Sequence, residues 1–391
     1  MRIASFFHFM RIVFFEKLCY TRKNGIRPKE SRLGTPEKAK FWLKCDGVNT
    51  MDRINLLKKL TAAPGLSAAE SGIAAVLQSE LERLGLKAHI DSFGNVHAVM
   101  PSAHPNAKTL LLEAHMDQIG FMVSSVTEEG LIRFDNLGGV DERILPGMEV
   151  EILSAPPIYG VIGALPARGE KEKKNPKLSE YAIDTGLCAK EAKDRIRPGC
   201  WVRMLHSMTP LQCGRYSDAA MDNRAGVTAI LKCIESLRGA QLPYHIAVLF
   251  STQEELGLHG AYTGVIPGSV DAAIAVDVTH GTTPDTKEEV GVFPLGSGAV
   301  ICRGPNLHYA YTKQLLALAK RCGIPHAIEV ASGGSGTTAW AIQTVGGGIP
   351  VMLVSIPLRY MHTNVETLDQ ADMGAVAALL AAAARGGIEL A

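Results

Sequence analysis

The sequence predicts an α/β fold: a sandwich of helices around a largely parallel central sheet, with a small β-rich domain inserted into it. Three observations carry that expectation. Apolar runs of the buried-strand type recur at 109–114, 245–251, 272–276 and 350–355. Helical stretches lie between or after them at 224–238, 309–321 and 369–385, closed by Gly239, Gly323 and Gly386. Between 122 and 212 this alternation stops and short strand-like pieces rich in Gly and Pro replace it.

Taken in order, residues 1–50 stand apart. They hold eleven Lys/Arg and four Asp/Glu, and five of the 11 Phe fall in the first 15 positions. Basic residues with clustered aromatics suit a surface-binding arm or a targeting signal. The blander expectation is a dispensable extension or a mis-called start, because Met51-Asp52-Arg53-Ile54-Asn55-Leu56-Leu57 opens a clean helical period. Ser67-Ala68-Ala69-Glu70 reads as a capping box launching a helix that ends near Gly85. Strands are expected at 87–91 and 96–100 around the turn Ser92-Phe93-Gly94-Asn95. In the 122–212 stretch, 131–134 and 150–153 alternate like strands and 190–195 is a short helix. The charge run 170–174, followed by Asn175-Pro176, is an exposed loop. The expected division is therefore 51–121 with 213–391 as one catalytic body and 122–212 as the insertion.

Composition narrows the function. The 391 residues are 47% hydrophobic and 20% charged, enough for a large core and too apolar for disorder. A formal charge of +1 argues against a nucleic-acid partner. No apolar stretch reaches the roughly 18 residues a membrane span needs, so no stable insertion is expected. The eight cysteines show no C-x-x-C spacing, which points to scattered thiols in a reducing, cytoplasmic setting.

The candidate chemistry lies where strands end. The 109–114 run leads into His115-Met116-Asp117, the 245–251 run into Glu254-Glu255, the 272–276 run into Asp277, and the 350–355 run is followed at a distance by His362. Asp222 precedes a helix. In open α/β sheets the ligand crevice lies outside the carboxyl ends of the strands. Singly, each residue has an ordinary explanation: a hydrogen-bonded His-x-Asp, a solvated glutamate pair, a helix N-cap at Asp222, a turn at Asp277, a loop histidine at His362. Together they form a nitrogen–oxygen ligand set suited to zinc, cobalt or manganese.

Their order resembles a known family. Leu112-Glu113-Ala114-His115-Met116-Asp117-Gln118-Ile119-Gly120-Phe121, Asp222-Asn223-Arg224-Ala225-Gly226, Glu254-Glu255-Leu256-Gly257-Leu258-His259-Gly260-Ala261, Asp277-Val278-Thr279 and Arg359-Tyr360-Met361-His362-Thr363 resemble motifs of the M42 aminopeptidases, among them glutamyl and deblocking enzymes and some labelled endoglucanases. Leu137-Gly138-Gly139-Val140 and Ile183-Asp184-Thr185-Gly186 resemble signatures of that family's inserted domain. Two positions depart: Thr338 stands where relatives often have Asp in a Gly-Thr-Asp-Ala stretch, and Arg168 where a His is expected.

The resemblance implies a phosphorylase/hydrolase-like metallopeptidase fold with a PDZ-like or barrel insertion used for oligomerisation, from dimers up to dodecamers. It implies two divalent cations about 3.5–4 Å apart, zinc or cobalt before manganese. His115 and Asp277 would hold one, Glu255 and His362 the other, with Asp222 bridging. Asp117 would fix the His115 tautomer. Glu254 would act as general base on a cation-activated water in the hydrolysis of N-terminal residues from peptides. A second enzyme class is another metal-dependent amidohydrolase, a deacylase or carboxypeptidase; an endoglucanase is a third. The Gly333-Gly334-Ser335-Gly336 stretch is either a loop near substrate or a plain glycine turn.

Overall fold

A computed structural model describes residues 50–164, 177–283, 286 and 291–390. Residues 1–49, Arg168 and the 170–174 charge run lie outside the described residues.

Helix α1 (Thr50–Ala62) buries Ile54, Leu57 and Leu60, one stripe at helical spacing. Helix α2 (Ser71–Arg83) begins later than the capping-box pattern predicts. Glu70 holds the N-cap position, and its carboxylate accepts the N–H groups of Ala68 and Gln253. Ser67 is drawn elsewhere: its hydroxyl donates to Asp117 Oδ2 at 2.6 Å. Strands β1 (Ala88–Ile90) and β2 (Val96–Met100) then form the expected antiparallel hairpin.

The centre of the eleven-stranded sheet is formed by β3 (Thr109–His115), β12 (His245–Ser251), β13 (Ala272–His280) and β16 (Val351–Arg359), in the order β12-β3-β13-β16 and all parallel. Outside these four strands the expectation of a largely parallel sheet fails. Strand β2 pairs antiparallel with β12, and both β14 (Ala299–Arg303) and β17 (Glu366–Asp369) pair antiparallel with β16. Beyond β17 lie β11 (Arg215–Asp218) and β10 (Thr209–Pro210), also antiparallel, while β15 (His326–Val330) runs parallel to β14. Parallel neighbours need long crossovers and two covered faces, whereas short edge strands are joined without them. Edge strands such as His326-Ala327-Ile328-Glu329-Val330 are only partly buried, so no continuous apolar run announces them.

Both faces of the central strands are covered. Leu111, Leu249, Ala273, Ala275 and Leu353 pack with residues of α5 (His259–Gly264) and α7 (Ala339–Ile342). The alternate residues Leu110, Leu112, Ile274 and Val276 are buried as well, and α4 (Met221–Leu237) lies against β3 and β13 with α8 (Gln370–Ala382) packed on it. Helix α6 (Tyr309–Cys322) lies against β14 and β16.

Between β3 and β11 the chain closes a six-stranded barrel. It comprises β4 (Gly120–Val126), β5 (Ile132–Leu137), β6 (Glu149–Ile152), β7 (Ile158–Ala164), β8 (Tyr181–Asp184) and β9 (Trp201–Met204), in the order β4-β5-β8-β7-β6-β9. Phe121, Val123, Ile132, Phe134, Val150, Ile152, Ile183 and Val202 fill it. Helix α3 (Ala189–Arg195) packs on β4. Among the described residues no helix is long and apolar enough to cross a membrane.

Candidate active site

Five elements deliver polar side chains to one rim of the sheet. His115 ends β3, and Asp277 lies in the neighbouring strand β13. Glu254 and Glu255 follow β12, where Met116 N–H donates to Ser251 O and ties the two strand ends together. His362 sits in the connection between β16 and β17 with φ 64. Asp222 lies at the start of α4, but it is not the helix cap: Asp222 and Asn223 have non-helical backbone angles and Ala220 occupies the cap position. The Asp222 carboxylate is therefore free to face the rim.

The side chains meet. His115 Nε2 lies 3.1 Å from Asp222 Oδ1 and 3.7 Å from Asp277 Oδ1. His362 Nε2 lies 3.6 Å from Asp222 Oδ2 and 3.4 Å from Glu255 Oε2. One ligand atom each from His115, Asp222 and Glu255 falls within a 4.8 Å cluster. Asp222 thus turns one oxygen toward His115 and Asp277 and the other toward His362 and Glu255.

Buried hydrogen bonds fix this arrangement. Asp117 is fully buried; its carboxylate accepts the N–H of Glu254 at 2.9 Å, the N–H of Glu255 at 3.2 Å and the Ser67 hydroxyl. Its Oδ1 lies 3.4 Å from His115 Nδ1, a ring nitrogen with no other partner. That places the Nδ1 proton toward Asp117 and leaves the Nε2 lone pair on the Asp222 side, available to a cation. Glu366 does the same for the opposite side: it accepts the N–H of Asp222 at 3.0 Å and of His362 at 2.9 Å. The other His362 nitrogen, Nδ1, lies 2.8 Å from Gly139 O. A Cβ on Gly139 would sit 2.9 Å from that nitrogen, so only glycine lets the barrel-side loop approach. Ala220, Gln253, Tyr360 and His362 all adopt positive φ beside these ligand-type residues, strain that the surrounding bonds must hold.

Sequence reasoning missed Ser67 as a partner of Asp117, and missed Glu366 and Glu113 altogether. Glu113 is buried under the rim, accepting from Ser251 and from Thr338, the position of the Asp-to-Thr departure. An acid inside the apolar 109–114 run was the one available signal; Glu366, four residues after His362 in a non-helical segment, offered none.

The rim opens into a cavity of about 780 Å³. The Gly334, Ser335 and Gly336 stretch lines it, so the glycine loop is not a remote turn. Asp222, Glu254, Glu255, Asp277 and Glu329 line it too, and no Lys or Arg does among the described residues. Burial, reinforced by neighbouring carboxylates, pushes Glu254 up to about 9 and holds Asp277 and Glu366 well above the usual carboxylate range. Burial opposes charge on His115, but Glu254, Asp117, Asp222 and Asp277 outweigh it and raise that imidazole. The hydrogen bond to Glu255 raises His362 to about 9. Cys302 also lines the cavity, and burial pushes its thiol up to about 12, which disfavours the thiolate. So many buried carboxylates around two imidazoles lack compensating positive charge, and divalent cations with oxygen and nitrogen ligands fit that deficit.

Comparison with known proteins agrees. The family model for the M42 glutamyl aminopeptidases matches residues 94–379. The chain is 29% identical to a lysyl aminopeptidase of Pyrococcus furiosus, over 81% of this chain and 92% of that protein. An aminopeptidase structure from the archaeon Desulfurococcus kamchatkensis superposes with a TM-score of 0.81 at 31% identity, covering 86% of this chain and 95% of the other. The Pyrococcus horikoshii TET1 peptidase, described as assembling into a tetrahedron or a large octahedral shell, gives a TM-score of 0.75 at 28% identity, over 85% and 99% of the two chains.

Proposed function

Since the chain belongs to the M42 glutamyl aminopeptidase family, a family of metal-dependent peptide-bond hydrolases, we propose that it removes N-terminal residues from peptides using two divalent cations and a glutamate base. The observation that carries the proposal is the orientation of Asp222, with one oxygen toward the His115–Asp277 side and one toward the Glu255–His362 side. This is what a bridging carboxylate requires. His115 and Asp277 would hold one cation, Glu255 and His362 the other. Zinc or cobalt suits these donors, with manganese third.

When bound, such cations supply Lewis acidity toward the scissile carbonyl and lower the pKa of water. The chain supplies the rest. Asp117 grips the backbone N–H groups of both Glu254 and Glu255, so consecutive side chains diverge from a fixed base. Glu255 turns toward His362, and the Glu254 carboxylate lines the cavity. Glu254 takes the proton of the attacking water and returns it to the departing amine nitrogen.

Residues 51–121 and 213–391 would form the catalytic body, with 122–212 as the oligomerisation module of a homo-oligomer, from dimer to dodecamer. The shells described for the TET1 peptidase support the assembly, as do Tyr159 and Val161, exposed on barrel strand β7. A cytoplasmic setting is supported by the free cysteines among the described residues.

The test is metal analysis together with aminoacyl-p-nitroanilide hydrolysis, with and without chelator, set against N-acyl amino acids. Chelator-sensitive release of p-nitroaniline is expected. Cleavage of N-acyl amino acids alone would make the protein a deacylase and overturn the proposal.

A further inference from the structure

Beyond the cation rim, the cavity contains one carboxylate that the proposed chemistry does not use. Glu329, on edge strand β15, lines the same cavity. Strands β13 and β15 are separated in the sheet by β16 and β14, yet the Thr279 hydroxyl donates to Glu329 Oε1 at 2.9 Å. That bond fixes where the carboxylate stands. Thr279 lies two residues beyond Asp277 on β13, hence on the same face and about 6.6 Å further along the strand. Glu329 is therefore displaced from the cation rim by a distance comparable to a long side chain.

No Lys or Arg pairs with Glu329 among the described residues. Burial raises the Glu329 carboxyl above its ordinary value, and the Thr279 hydrogen bond and the nearby His280 only partly offset it. The cavity wall mixes small or apolar residues, Cys302, whose backbone pairs with Glu329 across the β14–β15 ladder, Ala331 and Trp340, with uncharged hydroxyls of Thr279, Ser335 and Thr337. A wall without Lys or Arg among the described residues, carrying apolar Cys302, Ala331 and Trp340 and one half-buried carboxylate, accepts an aliphatic stem with a cation at its tip.

We propose that Glu329 makes this a pocket for the first side chain of the substrate and selects N-terminal lysine or arginine. The inference rests on the aminopeptidase function proposed above and adds its substrate class. With the scissile bond at the rim, the substrate's first side chain runs along β13 toward Thr279, and its ammonium or guanidinium meets Glu329 Oε2, which has no partner among the described residues. An N-terminal glutamate would place two carboxylates together in a half-buried site and is disfavoured.

The experiment uses the full chain and four p-nitroanilides: lysyl, arginyl, norleucyl and glutamyl. Norleucine keeps the lysine stem and lacks its charge, so the lysyl-to-norleucyl ratio of kcat/KM isolates the charge contact. The ratio is expected to exceed about tenfold in the wild type, the size of one charge-assisted hydrogen bond, with glutamyl slowest. Glu329→Gln should bring it near one while norleucyl cleavage is kept, and Glu329→Lys should invert the order of lysyl and glutamyl substrates. Because each ratio is taken within one preparation, partial misfolding does not distort it. Equal lysyl and norleucyl rates in the wild type, or an unchanged ratio in Glu329→Gln, would overturn the role of Glu329 and leave the aminopeptidase function standing. Failure to cleave any of the four would overturn both.

Discussion

The barrel core and the rim of the central sheet are both buried, yet they are built from opposite materials. Phe121, Ile132, Val150, Ile183 and Val202 give the barrel an apolar interior. The rim packs Asp117, Asp222, Asp277, Glu366 and His115 into a space almost as dry, none of them more than 7% exposed. Removing apolar surface from water stabilises the barrel by about 25 cal/mol per Å². Burying carboxylates costs stability unless cations or donors compensate. The barrel core is apolar throughout, whereas the rim lacks positive charge that the proposed cations would supply.

That contrast is open to attack from both sides. The largest effect is expected from Glu254→Gln, which keeps metal bound and lowers kcat by about 10²–10⁴-fold; near-normal turnover with full metal content would remove Glu254 from its role. Next comes the barrel, where Ile183→Ala should destabilise by about 2–5 kcal/mol, read as a fall in Tm or denaturation midpoint. Metal per folded chain should not change there. His362→Ala should do the reverse, losing metal on elemental analysis while the chelated protein unfolds near the chelated wild type. An unaltered metal content would contradict the ligand assignment.

Asp372 tests whether buried carboxylates are costly away from the rim as well. Burial raises it to about 7 although the N–H groups of Gly296 and Gly298 donate to it. The folded state thus binds a proton there that the unfolded chain, with an ordinary value near 3.8, has released. Stability should rise as pH falls from about 7 toward 4, by up to about 1.4 kcal/mol per pH unit from this group. Asp372→Asn should flatten that part of the stability–pH curve. The smallest effect is expected from Gly139→Ala, whose added methyl displaces His362. A loss of about 10–100-fold in metal affinity or activity, the usual scale for a ligand's supporting partner, is the expected reading in a chelator titration.

Much of the fold was legible because long periodic segments state their own structure. The runs leading into His115, Glu254 and Asp277 are strands where expected, and the helices starting near Met51, Asp222 and Tyr309 follow their apolar periods. The capping-box signature at Ser67 misled because a tertiary partner, Asp117, competed for the hydroxyl and won. Strands β15 and β17 were illegible because their pairing, not their composition, makes them strands.

The sequence by itself named the candidate residues His115, Asp222, Glu254, Glu255, Asp277 and His362 by position in the chain, although β13 continues past Asp277 to His280 where a strand end at 276 is expected. Only the tertiary structure decided that Asp222 faces both imidazoles, that Glu366 and Ser67 hold the rim in place, and that Glu329 reaches Thr279 across the sheet. The physical reason is range. Periodicity and turn chemistry act over a few residues and are written locally, whereas a hydrogen bond between residues fifty or more apart exists only once the strands between them have packed.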